Sequence, residues 1–440
     1  MLPPVVIEGQ RTPSALTAGQ RLWRLEASAW EAAGATTAAE VLEARTGLWV
    51  RRYGSGGLAA VSLRGAAATQ TLLLVDGHRV ADPQSGLLDL TLLPSVLLEA
   101  VEVVHGPATA LYGSGAMGGV VHLHTLRPRE RLGARAAVRV GAFGERSLGV
   151  VMQGGKGRIA AVAAAERSLA TGDYPYPNPL PPPKTRRREG ADRQMTTLFG
   201  KVRYENAWRF EGTFWATAAH RSLPGPGNAP PIDAWQTDHA QRLLLGAWRA
   251  ISKGRFTLGG HYQHTRLQYV NTYAQQQDTA RTYTLSFSGM LEQALGKRWA
   301  MTLSAETRWE HAALRGGVDG RAGALALQGN GHVGPLWLYP ALRLDRYVTR
   351  AQHFQTFSPQ LGFNLALRAQ RLHLKGQIGR TFRAPTLGER FYMPGGNPHL
   401  RPERGWTLEA GLLLHPPKFS LELTAFYTAL VDQIVWYPAL

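Results

Sequence analysis

From about residue 129 onward this 440-residue chain alternates apolar and polar side chains with period two, in runs of ten residues or more. Trp299, Met301, Leu303, Ala305, Thr307 and Trp309 interleave with Ala300, Thr302, Ser304, Glu306 and Arg308. The same alternation sets Leu372, Leu374, Gly376 and Ile378 against His373, Lys375 and Gln377. A period of two puts successive side chains on opposite faces of a strand, so most of the chain must form a sheet with one apolar and one polar face. A soluble sandwich shares that pattern. Three details favour a transmembrane barrel: the long strands, aromatic residues such as Trp299 and Trp309 at strand ends, and unequal connections. Short turns, as at 252–254, alternate with long loops at 169–192 and 223–237. No apolar run reaches 18 residues, so the sequence holds no membrane-spanning helix. About fifteen strands can be counted between residues 132 and 440.

The first third is built differently. Residues 72–75 form a short apolar run ended by the turn pair Asp76-Gly77, and residues 101–104 form another ended by Gly106-Pro107. Both read as buried strands of a small mixed domain. Thr36 or Thr37 caps a helix with Glu40 in its first turn, and Gly47 ends it. Residues 112–119 hold too many glycines for a helix and too few apolar side chains for a core strand, which predicts a sharp bend packed closely against a neighbour. A phosphate loop is disfavoured. No Gly-Lys-Ser/Thr follows, and residues 120–124 alternate like a strand.

Four elements within this region, SLRG (62–65), LLLVDGHRV (72–80), VEVVHGP (101–107) and ALYGSGAMGGVVHL (110–123), occur in order and at a characteristic spacing. Together they resemble the plug domain of TonB-dependent outer-membrane receptors. Residues 381–385, 396–403 and 408–411 resemble the same family's late barrel. The resemblance implies a mainly β protein, with an N-terminal α+β plug inside a large antiparallel transmembrane β-barrel. Residues 1–20 would be a flexible segment, 21–128 the plug and 129–440 the barrel. It further implies active import of a scarce nutrient such as a ferric siderophore or cobalamin across the outer membrane, powered through the TonB protein. The expected partners are TonB, outer-membrane lipid and lipopolysaccharide, and a metal-chelate or cobalamin-type ligand, with the receptor a monomer and no cofactor. The alternative is a non-transporting surface barrel acting in binding or adhesion.

Size sharpens the expectation. A plug of about 128 residues has a compact radius of about 18 Å. A barrel has a backbone radius of roughly 16 Å for sixteen strands and roughly 22 Å for twenty-two, less about 5 Å for inward side chains. Only the larger cylinder holds the plug, so about fifteen strands predict a truncated barrel, short of about 22 by six or seven. The residues at 436–440 lack the terminal aromatic typical of the family, and the N-terminus does not open a signal peptide.

The net charge of +18, from 49 Lys+Arg against 31 Asp+Glu, raises a nucleic-acid reading. The basic residues are dispersed through alternating segments, apart from a dense run at 184–188, and dispersed arginine equally suits a surface beside anionic headgroups. We therefore expect no nucleic-acid partner. With no cysteine there is neither a disulfide framework nor a cysteine-based zinc site. Ser114 lacks the strand-to-helix context of a nucleophile elbow, and no catalytic constellation appears, so no enzyme is expected.

Site residues follow from the chemistry and the resemblance. Val5, Val6, Ile7, Glu8 and Gly9 resemble a TonB box, an extended β-branched segment able to add as an edge strand to a partner; a frayed terminus would look similar. Arg64 resembles a plug arginine that pairs with barrel glutamates. His105 stands where a second arginine is expected, which predicts a lock that is partly pH-dependent, with Glu409 as the barrel partner. An ion pair within the plug is the other reading of Arg64. The plug apices expected to meet ligand are Arg52, Tyr53 and Ser55, and Asp82 and Gln84. Tyr174, Tyr176, Trp235, Tyr269 and Tyr273 are outer-loop candidates, with interface-belt roles as the alternative. His122 and His124 share a strand face, but no acidic residue lies at ligand spacing in the sequence, so no metal site is expected.

Overall fold

The computed structural model describes residues 20–436 except 47, 53–56, 179–183, 226–232, 315, 368–370, 394 and 417–418. The N-terminal part contains β1 (Leu22–Glu26), β2 (Trp49–Arg52), β3 (Ala59–Ser62), β4 (Thr71–Val75), β5 (His78–Arg79), β6 (Leu98–His105) and β7 (Gly119–Thr125). With them come α1 (Ser28–Glu31), α2 (Ala38–Thr46) and α3 (Thr109–Tyr112). Five strands form one sheet in the order β1-β6-β7-β4-β5, with β4 and β7 parallel and the other pairs antiparallel. The turn from β4 to β5 uses Asp76 and Gly77 at φ +47° and +84°, the left-handed geometry that a two-residue hairpin demands. At the start of α2 the Thr36 N–H donates to Glu40 Oε2 at 2.7 Å, and the Glu40 N–H donates to Thr37 Oγ1 at 3.4 Å, so both threonines serve the helix end. Gly47 lies outside the described residues.

The rest is one antiparallel sheet of fifteen strands in strict chain order. Its members are β8 (Gly133–Val140), β9 (Arg146–Lys156), β10 (Ile159–Ala170), β13 (Arg193–Glu205), β14 (Arg209–Ser222), β15 (Ala234–Ile251), β16 (Gly254–Asn271) and β17 (Gln276–Leu295). They continue through β18 (Trp299–Ala312), β19 (Val318–Val333), β20 (Leu336–Thr349), β21 (His353–Leu367), β22 (Leu372–Arg383), β23 (Glu403–Leu414) and β24 (Leu421–Val431). Among the described residues no pairing joins β24 to β8, so the described wall is a partial barrel. The stretch 169–192 is not the plain loop its proline content suggests. It carries a separate hairpin of β11 (Pro175–Asn178) and β12 (Lys184–Arg187), joined by backbone pairing that prolines at alternate positions permit.

Alternation decides what each face does. Leu243, Leu245, Phe287, Leu325 and Leu408 point outward and are exposed, whereas Arg242, His261, Gln263, Arg343 and Lys375 point inward and are buried. An apolar outer band around a polar interior is stable against lipid rather than water. The interior is filled by the plug, which touches the wall near both edges. Glu31 pairs with Arg135 of β8 at 2.9 Å, and the Arg64 guanidinium lies 4.6 Å from the Phe426 ring of β24. One apolar core runs from the plug (Leu42, Leu73, Val101, Val121) into the wall through Val151, Val162, Phe199, Trp215 and Leu244.

Candidate functional site

Arg64 sits in a tight turn after β3, with φ +53° followed by Gly65 at +75°. This geometry turns the side chain out of the plug, and its Nη2 donates to Glu409 Oε1 on β23 at 2.7 Å. Glu409 Oε2 accepts from Gln377 Nε2 at 2.8 Å, and Gln377 lies directly opposite Glu409 across the β22–β23 ladder. Gln377 Oε1 in turn accepts from Gln20 Nε2 of the plug at 3.0 Å. Gly106 closes over this group at φ +88°, and any Cβ there would run into the Glu409 carboxylate and the Gln377 amide. His105 does not join the pair. It lies edge-on to Trp23, with ring centroids 6.1 Å apart. Burial, and then the neighbouring Arg64 and Arg21 charges, push its pKa down to about 4. The expectation that His105 belongs to the lock and makes it partly pH-dependent is corrected accordingly: a neutral glutamine supplies the second contact to the carboxylate.

Around the same rim, Gln70 Nε2 donates to Glu403 Oε2 at 2.9 Å. The glycine-rich run bends against the wall as its composition requires, with the Gly115 N–H donating to the Phe382 carbonyl at 3.1 Å and Ser114 Oγ accepting from the Ala384 N–H at 2.9 Å. On the other flank Asp76 meets Lys201 at 3.0 Å, and Asp89 meets Arg221 at 2.7 Å.

The apex at 82–86 is a turn whose carboxylate is fully engaged. Asp82 Oδ1 accepts from the Gln84 and Ser85 N–H groups, and Oδ2 accepts from the Thr265 and Thr282 hydroxyls of the wall at 3.0 and 2.7 Å. Asp82 therefore anchors the apex to β16 and β17. Above it lies α4 (Leu387–Phe391), capped by Thr386, whose Leu387 and Gly388 N–H groups donate to the carbonyls of Pro83 and Gln84. Arg52 spends its guanidinium on Glu43 inside the plug, at 2.8 Å. Tyr53, Ser55 and the segment Val5, Val6, Ile7, Glu8 and Gly9 lie outside the described residues.

The aromatic candidates separate. Tyr174 and Tyr176 form an edge-to-face pair 6.5 Å apart in and beside the β11–β12 hairpin, with Arg188 over the Tyr176 ring. Tyr269 accepts from Asn271 near the end of β16, and Tyr273 stands exposed in the turn that follows. Trp235 has the parity of the outward Leu243 and Leu245 on β15, which fits an interface position better than a pocket.

The histidines correct one expectation. An acidic residue does stand beside His122 and His124, because Glu102 of β6 lies opposite His122 of β7, and the three offer ligand atoms within 4.8 Å of one another. Pairing across strands made this neighbour invisible in sequence spacing. Glu102 Oε1 already accepts from Arg24 at 2.5 Å, and His122 Nε2 accepts from the Gly77 N–H at 2.7 Å. Burial, and then the charge of His124, hold the His122 pKa well below its ordinary value. The arrangement is that of a buried polar network within the plug.

Among the described residues, cavities lie between plug and wall. An inner chamber of about 580 Å³ lies against β13–β18, and its lining includes Asp76, His78, His122, Lys201 and Arg308. A pocket of about 90 Å³ lies beneath the apex and α4. Arg79 and Arg308 line both.

Comparison with known proteins agrees with this architecture. The family described as TonB dependent receptor-like, beta-barrel matches residues 164–440, and the TonB-dependent Receptor Plug Domain matches residues 14–120. The vitamin B12 transporter BtuB of Vibrio vulnificus is 24% identical over 92% of this chain, and that of Vibrio cholerae is 26% identical over 84%. The chain spans 66% and 60% of the length of those two relatives. Among solved structures, the siderophore receptor PirA of Acinetobacter baumannii superposes with a TM-score of 0.78 at 16% identity, covering 95% of this chain and 71% of its own. The ferric yersiniabactin uptake receptor FyuA of Yersinia pestis gives 0.72 at 15% identity, covering 95% and 74%. A folded plug seated in an antiparallel wall, together with matches to both domains, means that the chain belongs to the TonB-dependent receptor family.

Proposed function

We propose that this chain is the plug and a large part of the barrel of an outer-membrane receptor that actively imports a scarce nutrient of the ferric siderophore or cobalamin class. The supporting observation is the plug's seat: it fills the interior, and much of its hold on β22 and β23 is hydrogen bonds and ion pairs that water can replace. In this reading Val5–Gly9 adds as a strand to TonB, and a pull on it loosens the plug. Glu409, Gln377 and Arg64 hold the resting position, while the apex at 82–86 and the Tyr174–Tyr176 hairpin face the ligand. The reading assigns the protein no catalysis, a single-chain state, and contacts with lipid and lipopolysaccharide on the apolar outer face.

Deleting residues 5–9 tests it. Uptake of labelled cobalamin or ferric siderophore by cells carrying the chain should be lost, while surface binding of the same ligand stays. Uptake that survives the deletion would overturn the energised reading. Binding without uptake in both forms would establish the second reading, a binding barrel.

A further inference from the structure

The small pocket beneath the apex is lined by a cation whose hydrogen-bonding capacity the protein uses only in part. Arg390, on α4, is 2% exposed. Its Nη1 donates to Thr349 Oγ1 at 3.0 Å, and its guanidinium lies 5.5 Å from the Phe354 ring. The residues that fix it, Thr349 and Phe354, line the pocket with it. Nε and Nη2 have no hydrogen-bond partner in the protein. These two atoms form one edge of the guanidinium, and that edge carries the pair of parallel N–H donors that matches two oxygens of a carboxylate or phosphate. Leaving a buried donor without a partner is costly, so two on one side chain call for an acceptor.

Cations outnumber acids on the lining, where Asp82 and Glu310 are the acids. Five arginines line the pocket: Arg79, Arg308, Arg321, Arg383 and Arg390. Arg383 is neutralised by Glu389 and Glu403, and Arg308 by Glu310. Among the described residues, Arg79, Arg321 and Arg390 have no carboxylate within 4 Å. Asp82, the remaining acid on the lining, gives both oxygens to hydroxyl and amide donors. Arg79 extends from the plug's β5, so the pocket is bounded by plug on one side and wall on the other. Arg79 also lines the inner chamber.

We propose that this pocket is a binding site for an oxyanion, a phosphate or carboxylate group, held by the Nε–Nη2 edge of Arg390 with Arg79 as the second cation. The proposal rests on the receptor reading only in saying whose oxyanion it is: an anionic group on the imported solute, passing the apex on its way to the chamber. As a site it stands on the residues above.

The purified full chain in detergent, titrated with inorganic phosphate at constant ionic strength by calorimetry, tests it; sulfate and acetate run in parallel to report which oxyanion shape is preferred. One saturable site per chain is expected. Arg390→Gln should weaken phosphate at least about tenfold, and Arg390→Lys should recover little of the loss, because an ammonium cannot present two parallel donors. Arg79→Gln should weaken binding several-fold. Arg298→Gln, in the exposed turn between β17 and β18, should leave it unchanged. Variants are compared only where their circular dichroism matches the parent's, and Arg390→Lys serves if Arg390→Gln does not fold. The proposal is overturned if the folded parent shows no saturable site, if the Arg390 variants bind as the parent does, or if Arg298→Gln weakens binding equally. Uptake is scored separately in cells. Phosphate binding without energised uptake removes the receptor reading and keeps the site, and uptake without phosphate binding does the reverse.

Discussion

Against β9 to β15 the plug rests on a shared hydrocarbon core beside the ion pairs Asp76–Lys201 and Asp89–Arg221, whereas against β22 and β23 it is held by charges and amides alone among the described contacts. Val151, Val162, Phe199, Trp215 and Leu244 belong to the same core as the plug's own leucines and valines, and no residue of β16 to β24 joins that core among the described residues. The opposite flank offers Glu409, Gln377 and Glu403 to Arg64, Gln20 and Gln70. The two kinds of contact respond differently to water. Buried hydrocarbon loses its whole gain when wetted, about 25 cal/mol per Å². A hydrogen bond exchanges one partner for another at a net cost of about 0.5–1.5 kcal/mol. Wetting therefore costs least on the flank that has no shared hydrocarbon core.

The largest effect should come from breaking the apolar seat. Trp215→Ala removes a fully buried indole and should destabilise the plug-filled form by about 3–5 kcal/mol, read as a lower denaturation midpoint in detergent. On the polar flank, Arg64→Leu strands Glu409 without its cation and should cost about 3 kcal/mol, with Arg64→Leu/Glu409→Leu recovering much of it. A double variant as damaged as the single one would show that the pair does more than satisfy its own burial. Gly106→Ala should cost about 1–3 kcal/mol, through its left-handed φ and the crowding of Glu409, and should loosen the polar flank alone. Limited proteolysis would locate that loosening near residues 101–107.

A smaller effect concerns pH. His105 and His122 have folded pKa values of about 4 and about 3, below the ordinary 6.5, so both are buried neutral and protonation favours the unfolded chain. Their contribution is complete above about pH 6.5 and is lost as pH falls toward 4 and below. The midpoint of the full chain should drop across that window, and His105→Gln should flatten the drop. A midpoint independent of pH between 6.5 and 4 would contradict the buried neutral assignment.

How much of this was legible depends on the range of the interaction concerned. The hairpin at Asp76-Gly77 and the cap at Thr36 and Thr37 are local, and their residues announce them. Period two likewise disclosed the long strands and which face of each is apolar. The helix α3 at Thr109–Tyr112 was not legible, because a single turn has no period to detect. Prolines hid the β11–β12 hairpin. Gln377 and Glu102 were missed for one reason: each acquires its role from a residue on another strand, Glu409 and His122 respectively. Arg390 gave no signal at all, since its unused edge is defined by Thr349 and Phe354, some forty residues away in the chain.

The sequence by itself determined that a small mixed domain precedes a long run of two-faced strands, because turn chemistry and side-chain alternation are properties of neighbours along the chain. Tertiary structure alone decided which carboxylate faces Arg64, why His105 stays uncharged, and that a buried guanidinium keeps two donors unspent. Those outcomes depend on register between strands and on how the plug is rotated within its wall, and no spacing along one chain encodes either.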